Sequence, residues 1–188
     1  ARYPEKTEVV QLATTHEGRS VRALLSADHP AAARGRPSVF LNGVHHGNEP
    51  LSGLVVLDAI ETLLTRSDSD PRFHRELAEL AIWCVPVVNP DGVAAFLKDP
   101  GAGRKNGRET RPEGERRSLR TRGVDLNRNY PFRWGALRGA GSRGKANQRS
   151  YRGPEPASEP EVRAIIALSD REHFVASLSF HIGTVALL

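Results

Sequence analysis

The fold is decided by one strand-to-helix junction, Val39-Phe40-Leu41-Asn42-Gly43-Val44-His45-His46-Gly47-Asn48-Glu49-Pro50. Its first three residues form a short apolar run, which is typical of a buried strand. Pro50 suits the first turn of a helix, and apolar residues then recur at helical spacing from Leu51 to Leu64. Open α/β proteins place their sites at such strand ends. The two histidines and the glutamate of this junction are therefore the first candidates for a functional site.

Outward from this junction, the chain alternates between predicted strands and helices. Strands are predicted at Val9–Leu12, Val21–Leu25, Ile82–Val88 and Phe174–Phe180. Helices are predicted at Pro71–Leu80 after an Asp70 cap, and from a Ser158/Glu161 capping box to about Arg171. Residues 89–157 are predicted to be largely irregular and to start with a turn at Asn89-Pro90-Asp91-Gly92. This alternation predicts a single layered α/β domain over residues 1–188.

Composition excludes several classes of protein. The chain has 188 residues, with 27 Lys+Arg against 22 Asp+Glu, and this balance of charges is not that of a wholly disordered protein. It has a single cysteine, which excludes a disulfide scaffold. No apolar run approaches the roughly 20 residues of a membrane-spanning helix. The basic stretch from Arg104 to Arg122 lacks the interleaved aromatic residues of a stacking platform, so we expect no nucleic-acid partner.

The spacing of the junction residues predicts a metal site. His46 and Glu49 are three residues apart in a turn and can share one ion, and His45 with Glu49 is a second, less natural pairing. Zinc enzymes commonly take His and carboxylate ligands from three positions and leave a fourth for water. His181, which follows the last predicted strand, fits as the third ligand. Such a pair alone is weak evidence, because His and Glu often occur three residues apart by chance.

Six blocks of sequence, in order, resemble the zinc metallocarboxypeptidase family. The blocks are His46-Gly-Asn-Glu49, Val85-Pro-Val-Val-Asn-Pro-Asp-Gly92, Arg104-Lys-Asn106, Gly123-Val-Asp-Leu-Asn-Arg-Asn129, Tyr151-Arg-Gly-Pro154 with Ser158-Glu-Pro-Glu161, and Ser179-Phe-His181. The resemblance covers nearly the whole chain. It implies a three-layer α/β/α sandwich with a mixed, mostly parallel sheet that is incomplete at the C-terminus, and one Zn²⁺ ion.

The resemblance also implies roles for individual residues. His46, Glu49 and His181 look like the zinc ligands, and Asp125 looks like the acceptor that orients the His46 ring. Arg104 looks like the cation that stabilises the oxyanion, with Arg108 as a nearby competitor. Asn127 and Arg128 look like the anchor for a terminal carboxylate. Apart from the resemblance, Asp125 could cap a turn and Arg128 could pair with a surface acid.

One part of the family pattern is missing from the 188 residues. The family's general-base glutamate lies well downstream of the third zinc ligand, and the chain ends at Leu188. We therefore expect these residues to be part of a longer peptidase domain, with a zinc site but little turnover on their own. The family is mostly extracytoplasmic and Ala1 resembles a processed start, so we expect a secreted or periplasmic protein.

The leading hypothesis is a zinc metallocarboxypeptidase acting on peptides, or on peptidoglycan peptides, that end in a free carboxylate. The alternatives are a cell-wall peptidase cutting γ-D-glutamyl-diaminopimelate bonds, a zinc deacylase of N-acyl amino acids, and a zinc-binding pseudoenzyme without catalysis. A nucleic-acid module is the most distant reading. The sequence predicts no oligomeric state.

Overall fold

The computed structural model describes residues 2–111, 118–136 and 141–182, and its core is one mixed sheet. The strands are β1 (Thr7–Thr14), β2 (Ser20–Ser26), β3 (Ser38–Asn42), β4 (Ala81–Val85) and β5 (Ala176–Ser179), in the order β1-β2-β4-β3-β5. The β1–β2 and β2–β4 pairs are antiparallel, whereas β3 is parallel to both β4 and β5. The prediction of an α/β fold with a mixed sheet is confirmed.

Every α-helix in the described residues begins with a proline. The helices are α1 (Pro30–Ala33), α2 (Pro50–Arg66), α3 (Pro71–Glu79), α4 (Pro90–Lys98) and α5 (Pro160–Glu172), and a 3₁₀ turn spans Leu126–Arg128. Proline is well suited to the first helical position, because its φ is already helical and the N–H that it lacks would have no partner there. The predicted Asp70 cap is present, since its side chain accepts a hydrogen bond from the Arg72 N–H.

Helices cover both faces of the sheet. On one face Val162, Ile165 and Leu168 of α5 pack against a core that includes Trp83 of β4. On the other face Val56, Ile60 and Leu63 of α2 join Leu77 of α3 and Cys84 of β4. Because successive residues of β4 face opposite sides, this strand is buried on both faces. The result is the expected three-layer arrangement, with Cys84 as a core residue.

Two local predictions were wrong. Asn89-Pro90-Asp91-Gly92 is not a free turn: β4 ends at Val85, and Asn89 caps α4 by accepting a hydrogen bond from the Gly92 N–H. The capping box at Ser158 does not form, because Glu159 is the last residue before α5 and has no capping hydrogen bond. The Ser158 hydroxyl donates instead to the Glu159 carboxylate, at 2.6 Å.

No helix within the described ranges combines the length and the apolar character that crossing a membrane requires.

Candidate metal centre

Two neighbouring parallel strands bring the candidate ligands to one edge of the sheet. In the β3–β5 pair Asn42 lies opposite Ser179, so the segments that follow these residues leave the sheet side by side. The Ser179 hydroxyl donates to Oδ1 of Asn42 at 2.8 Å, and the Phe180 N–H donates to the Asn42 carbonyl at 2.8 Å. His46 follows the first strand and His181 follows the second. Residues far apart in sequence therefore meet because the strands end together.

Glu49 lies between the two imidazole rings. Its Oε1 is 2.9 Å from Nδ1 of His46, and its Oε2 is 3.0 Å from Nδ1 of His181. One potential ligand atom from each of the three residues lies within 4.8 Å of the other two. His46 is buried and His181 is exposed, so the cluster is open on one side. The three residues that the sequence nominated for zinc thus meet at one point.

His45 takes no part in this cluster with Glu49. Its Nε2 lies 2.8 Å from the hydroxyl of Tyr130, and its ring stacks at 5.7 Å on the ring of His181. Burial lowers the pKa of His45 to about 3, so the ring is neutral at ordinary pH. Of the two pairings left open by the sequence, the structure contains the one between His46 and Glu49.

The loop that presents His46 is tightly constrained. Val44 has a φ of 54°, which is unusual for a β-branched residue. Ser52 supports it, because its hydroxyl accepts from the Val44 N–H at 2.9 Å and donates to the Glu49 carbonyl at 2.6 Å. A Cβ on Gly47 would lie closer than 3.0 Å to the backbone of Gly92. Because neither Gly47 nor Gly92 has a side chain, the backbones of the two segments that carry them can come into contact.

Asp125 supports His46 from behind. The carboxylate of Asp125 is buried, and its Oδ1 lies 3.1 Å from Nε2 of His46. Its Oδ2 accepts hydrogen bonds from Nε and Nη2 of Arg104, at 3.0 and 2.8 Å. Oδ1 also accepts from the Asn127 N–H at 3.1 Å, which caps the 3₁₀ turn. Asp125 therefore has both of the roles considered for it: it caps a turn and it contacts the ring.

The charges in this cluster depend on one another. Burial would raise the pKa of Asp125, but the contact with His46 and the charge of Arg104 hold it below its usual value. Burial likewise opposes a charged His46, yet the bonds to Asp125 and Glu49 raise its pKa. For Glu49 the bonds from His181 and His46 outweigh burial and lower the pKa. Both carboxylates are therefore ionised, as metal binding requires.

The donor set fits a zinc ion. Two imidazole nitrogens and one carboxylate are a usual set of zinc ligands, and such sites leave a fourth position for water. The Nδ1 atoms of both histidines face Glu49, while Nε2 of His46 faces Asp125 and Nε2 of His181 is 3.4 Å from the Asn127 amide nitrogen. The ring of His46 is thus oriented by a carboxylate acceptor at the nitrogen that a metal would not use.

The nominated substrate residues lie next to this cluster. Asn127 contacts His181, and Arg128 follows it at the end of the 3₁₀ turn. The Arg128 side chain donates to the carbonyls of Gly141 and Asn127, the latter at 2.9 Å. Arg104 and Arg128 line a common cavity of about 490 Å³. The ion pair with Asp125 holds the guanidinium group of Arg104, and the hydrogen bonds to backbone carbonyls hold that of Arg128.

Arg108, the competitor of Arg104, lies in a different network. It forms an ion pair with Glu159, at 2.9 Å. The same carboxylate accepts a hydrogen bond from the Asn106 amide at 2.7 Å and lies 2.9 Å from Nε2 of His16. His16, Glu159 and Glu161 form a second group with the spacing of metal ligands. Because Glu159 already has an arginine and several hydrogen-bond donors, we interpret this group as a buried polar network.

Sequence reasoning missed three residues that hold the irregular region together. The Lys105 ammonium donates to the carbonyls of Thr121, Ala146 and Gln148, and the last two bonds measure 2.8 and 3.2 Å. Asn106 accepts from the Val124 N–H and donates to Glu159, and Asn129 donates to the carbonyls of Arg152 and Glu155. Their only signal in the sequence was membership of the Arg104-Lys-Asn106 and Gly123–Asn129 blocks.

Comparison with known proteins gives consistent results. A family profile described as zinc carboxypeptidase matches residues 1–188. The metallocarboxypeptidase A of Trichophyton tonsurans is 31% identical over 165 residues, which are 86% of this chain and 36% of the relative. Zinc carboxypeptidase A 1 of Anopheles gambiae is 31% identical over an alignment of 189 positions, which covers 99% of this chain and 40% of the relative. The chain thus spans well under half the length of these two relatives.

The fold is also that of a solved carboxypeptidase. Carboxypeptidase A from Helicoverpa armigera superposes with a TM-score of 0.81 over 97% of this chain and 42% of that one. Because the sequences are only 24% identical, this similarity concerns the fold alone.

Proposed function

The chain belongs to the zinc carboxypeptidase family, and from that premise we propose that it hydrolyses the C-terminal bond of peptides with one zinc ion held by His46, Glu49 and His181. The observation that carries the proposal is the convergence of both Nδ1 atoms on the Glu49 carboxylate, at 2.9 and 3.0 Å. Zinc in such a site acts as a Lewis acid on the carbonyl and lowers the pKa of bound water.

Arg104 is proposed to stabilise the oxyanion that forms during hydrolysis. Its Nε and Nη2 atoms are held by Asp125, whereas Nη1 has no hydrogen-bond partner among the residues that the structure describes. Nη1 is therefore available to the carbonyl oxygen of a substrate. A cation held in advance near developing negative charge needs little reorganisation during the reaction.

Asn127 and Arg128 are proposed to select a free C-terminal carboxylate. An amide and a guanidinium together offer several N–H donors, and the planar guanidinium matches the geometry of a carboxylate. Asn127 contacts His181, at 3.4 Å, so a terminal carboxylate bound here would lie close to the proposed metal. This arrangement would set the reactive bond one residue from the end of the peptide.

We assign proton abstraction to none of the described glutamates of the site. Glu49 faces both histidines, and the two oxygens of Glu159 are occupied by Arg108, Ser158, Asn106 and His16.

We also propose a secreted or periplasmic location, which fractionation of the producing cells tests directly.

The test compares benzoyl-glycyl-phenylalanine with its C-terminal amide, using the full-length protein. We expect hydrolysis of the free acid only, loss of activity with a chelator, and recovery on adding zinc. Glu49→Gln should lose both zinc and activity, whereas Glu79→Gln, an exposed change on α3, should lose neither. Equal hydrolysis of the amide would contradict selection of a carboxylate. Stoichiometric zinc without hydrolysis would favour the pseudoenzyme.

A further inference from the structure

The 490 Å³ cavity beside the proposed zinc site is unusually rich in arginine. Its lining consists of Arg104, Arg128, Arg143, Gln148, Arg149 and Ser150. Four guanidinium groups therefore border one space, and one of them belongs to Arg128, the proposed anchor of the terminal carboxylate. Like charges repel one another, so a bound anion would reduce the repulsion between these groups.

The charges of this cavity are poorly balanced by the protein. Arg104 is paired with Asp125, whereas the hydrogen bonds of the Arg128 side chain to the described residues go to backbone carbonyls, and its charge acts on Asp125 without an ion-pair contact. Across residues 2–111, 118–136 and 141–182, no hydrogen bond or ion pair is recorded for the side chains of Arg143 and Arg149. Several arginines elsewhere, among them Arg36, Arg108 and Arg120, pair with a carboxylate.

The loop that carries the two unpaired arginines is held in place. Arg143 forms a backbone bridge with Tyr151, and its N–H donates to the Ser150 carbonyl at 2.9 Å. The Lys105 ammonium binds the carbonyls of Ala146 and Gln148 in the same loop. The backbone on which Arg143 and Arg149 stand is thus fixed from two sides, which lowers the entropic cost of binding an anion there.

We propose that the protein prefers peptides whose C-terminal residue carries an acidic side chain, with Arg143 and Arg149 as the residues that determine this preference. The inference rests on the proposed function. The terminal carboxylate would occupy Asn127 and Arg128, and the second carboxylate would meet the two unpaired guanidinium groups. Guanidinium–carboxylate pairs are the geometry that arginine favours.

The test uses a pair of peptides that differ in charge and hardly in shape, N-acetyl-alanyl-glutamate and N-acetyl-alanyl-glutamine. Both kcat/KM and the dissociation constant are measured at low salt on the zinc-loaded protein, because screening weakens exposed charge pairs. We expect the glutamate peptide to be favoured about tenfold or more, since one or two charged hydrogen bonds are worth that much.

Variants assign the preference to the cavity. The double variant Arg143→Gln/Arg149→Gln should bring the ratio close to one, because kcat/KM and affinity for the glutamate peptide fall toward those for the glutamine peptide. Arg22→Gln/Arg75→Gln removes the same charge from two exposed positions whose side chains have no hydrogen bond or ion pair with any residue that the structure describes, and it should leave the ratio unchanged. A wild-type ratio near one, or a ratio that survives the cavity variant, overturns the inference.

The dissociation constants separate this inference from the proposed function. If neither peptide is cleaved, the proposed hydrolysis fails, but the binding ratio still decides the preference for an acidic side chain. If both are cleaved at the same rate and bind equally, the proposed function stands and the cavity inference falls.

Discussion

Arg104 donates two hydrogen bonds to one oxygen of Asp125, at 3.0 and 2.8 Å, while the other oxygen faces His46. The residue proposed to stabilise the substrate oxyanion and the residue proposed to hold zinc are thus supported by the same buried carboxylate. A change at this carboxylate should therefore alter metal affinity and catalysis together.

Asp125→Asn tests this dependence. The amide keeps the shape but loses the negative charge that orients His46, and such supporting contacts are worth about 10- to 100-fold in metal affinity. We expect the zinc dissociation constant to rise by that factor in a competition titration with a chromogenic chelator. Asp58→Asn, an exposed change on α2, is the control. Unchanged zinc affinity in Asp125→Asn would remove Asp125 from the site.

Lys105→Met should loosen the irregular region. The variant leaves the carbonyls of Ala146, Gln148 and Thr121 without their shared donor, and a hydrogen bond to a charged group contributes about 1.5–3 kcal/mol. We expect the free energy of unfolding to fall by about 3 kcal/mol, with faster amide exchange in residues 118–122 and 145–150. Lys98→Met, at the exposed end of α4, should change neither quantity. Exchange rates equal to wild type would show that Lys105 does not hold these segments.

Glu161→Gln should change how stability depends on pH. Burial, together with the charges of Glu159 and Asp91, raises the pKa of Glu161 from 4.5 to about 7. The folded state therefore keeps a proton that the unfolded state releases, so stability from this group is full below pH 4.5 and is lost as the pH rises to about 7.

Denaturant titrations between pH 4.5 and 8 provide the measurement. The wild type should lose about 3 kcal/mol across this window through Glu161, and the glutamine variant should lack that part of the slope. Glu79→Gln should keep the wild-type slope. Parallel curves for wild type and Glu161→Gln would mean that the carboxyl is ionised in the fold.

Gly47→Ala should destabilise the protein more than Gly18→Ala. At Gly18, where φ is 80° and nothing lies within 4 Å of an added Cβ, the cost is that of a left-handed alanine, about 1–2 kcal/mol. At Gly47 the added carbon would meet the Gly92 backbone, which cannot rotate away as a side chain can. Thermal unfolding of both variants tests the order, and equal losses would contradict the close contact.

The sequence predicted those parts of the fold that depend on local pattern. The strand before Gly43, the helix from Pro50 and the Asp70 cap all follow from periodicity and from residues close in the chain. The helix α4 was missed because Asn89-Pro90-Asp91-Gly92 has the composition of a turn, and the same residues also suit a helical cap and first turn. The Ser158 cap failed because Pro160 takes the first helical position and moves the boundary to Glu159.

For the candidate site, contacts between distant segments could not be predicted from the sequence. The choice between His45 and His46 depends on where Tyr130 lies, and the choice between Arg104 and Arg108 depends on which carboxylate each guanidinium meets. The structural role of Lys105 could not be predicted from the neighbouring sequence, because its hydrogen-bond partners are 16 to 43 residues away in the chain. Only similarity to a family pointed to these positions.

The prolines at the helix starts have a consequence for the acids that precede them. The right-handed helical region is disfavoured for a residue before proline. Glu49 and Glu159 both directly precede a proline, with φ and ψ of −117° and 52° for Glu49 and of −95° and 137° for Glu159. Extension of either helix by one residue, to include the glutamate, is therefore sterically disfavoured. Each of these prolines therefore sets the residue at which the helix begins. It thereby also sets the direction in which the side chain of the preceding glutamate leaves the backbone.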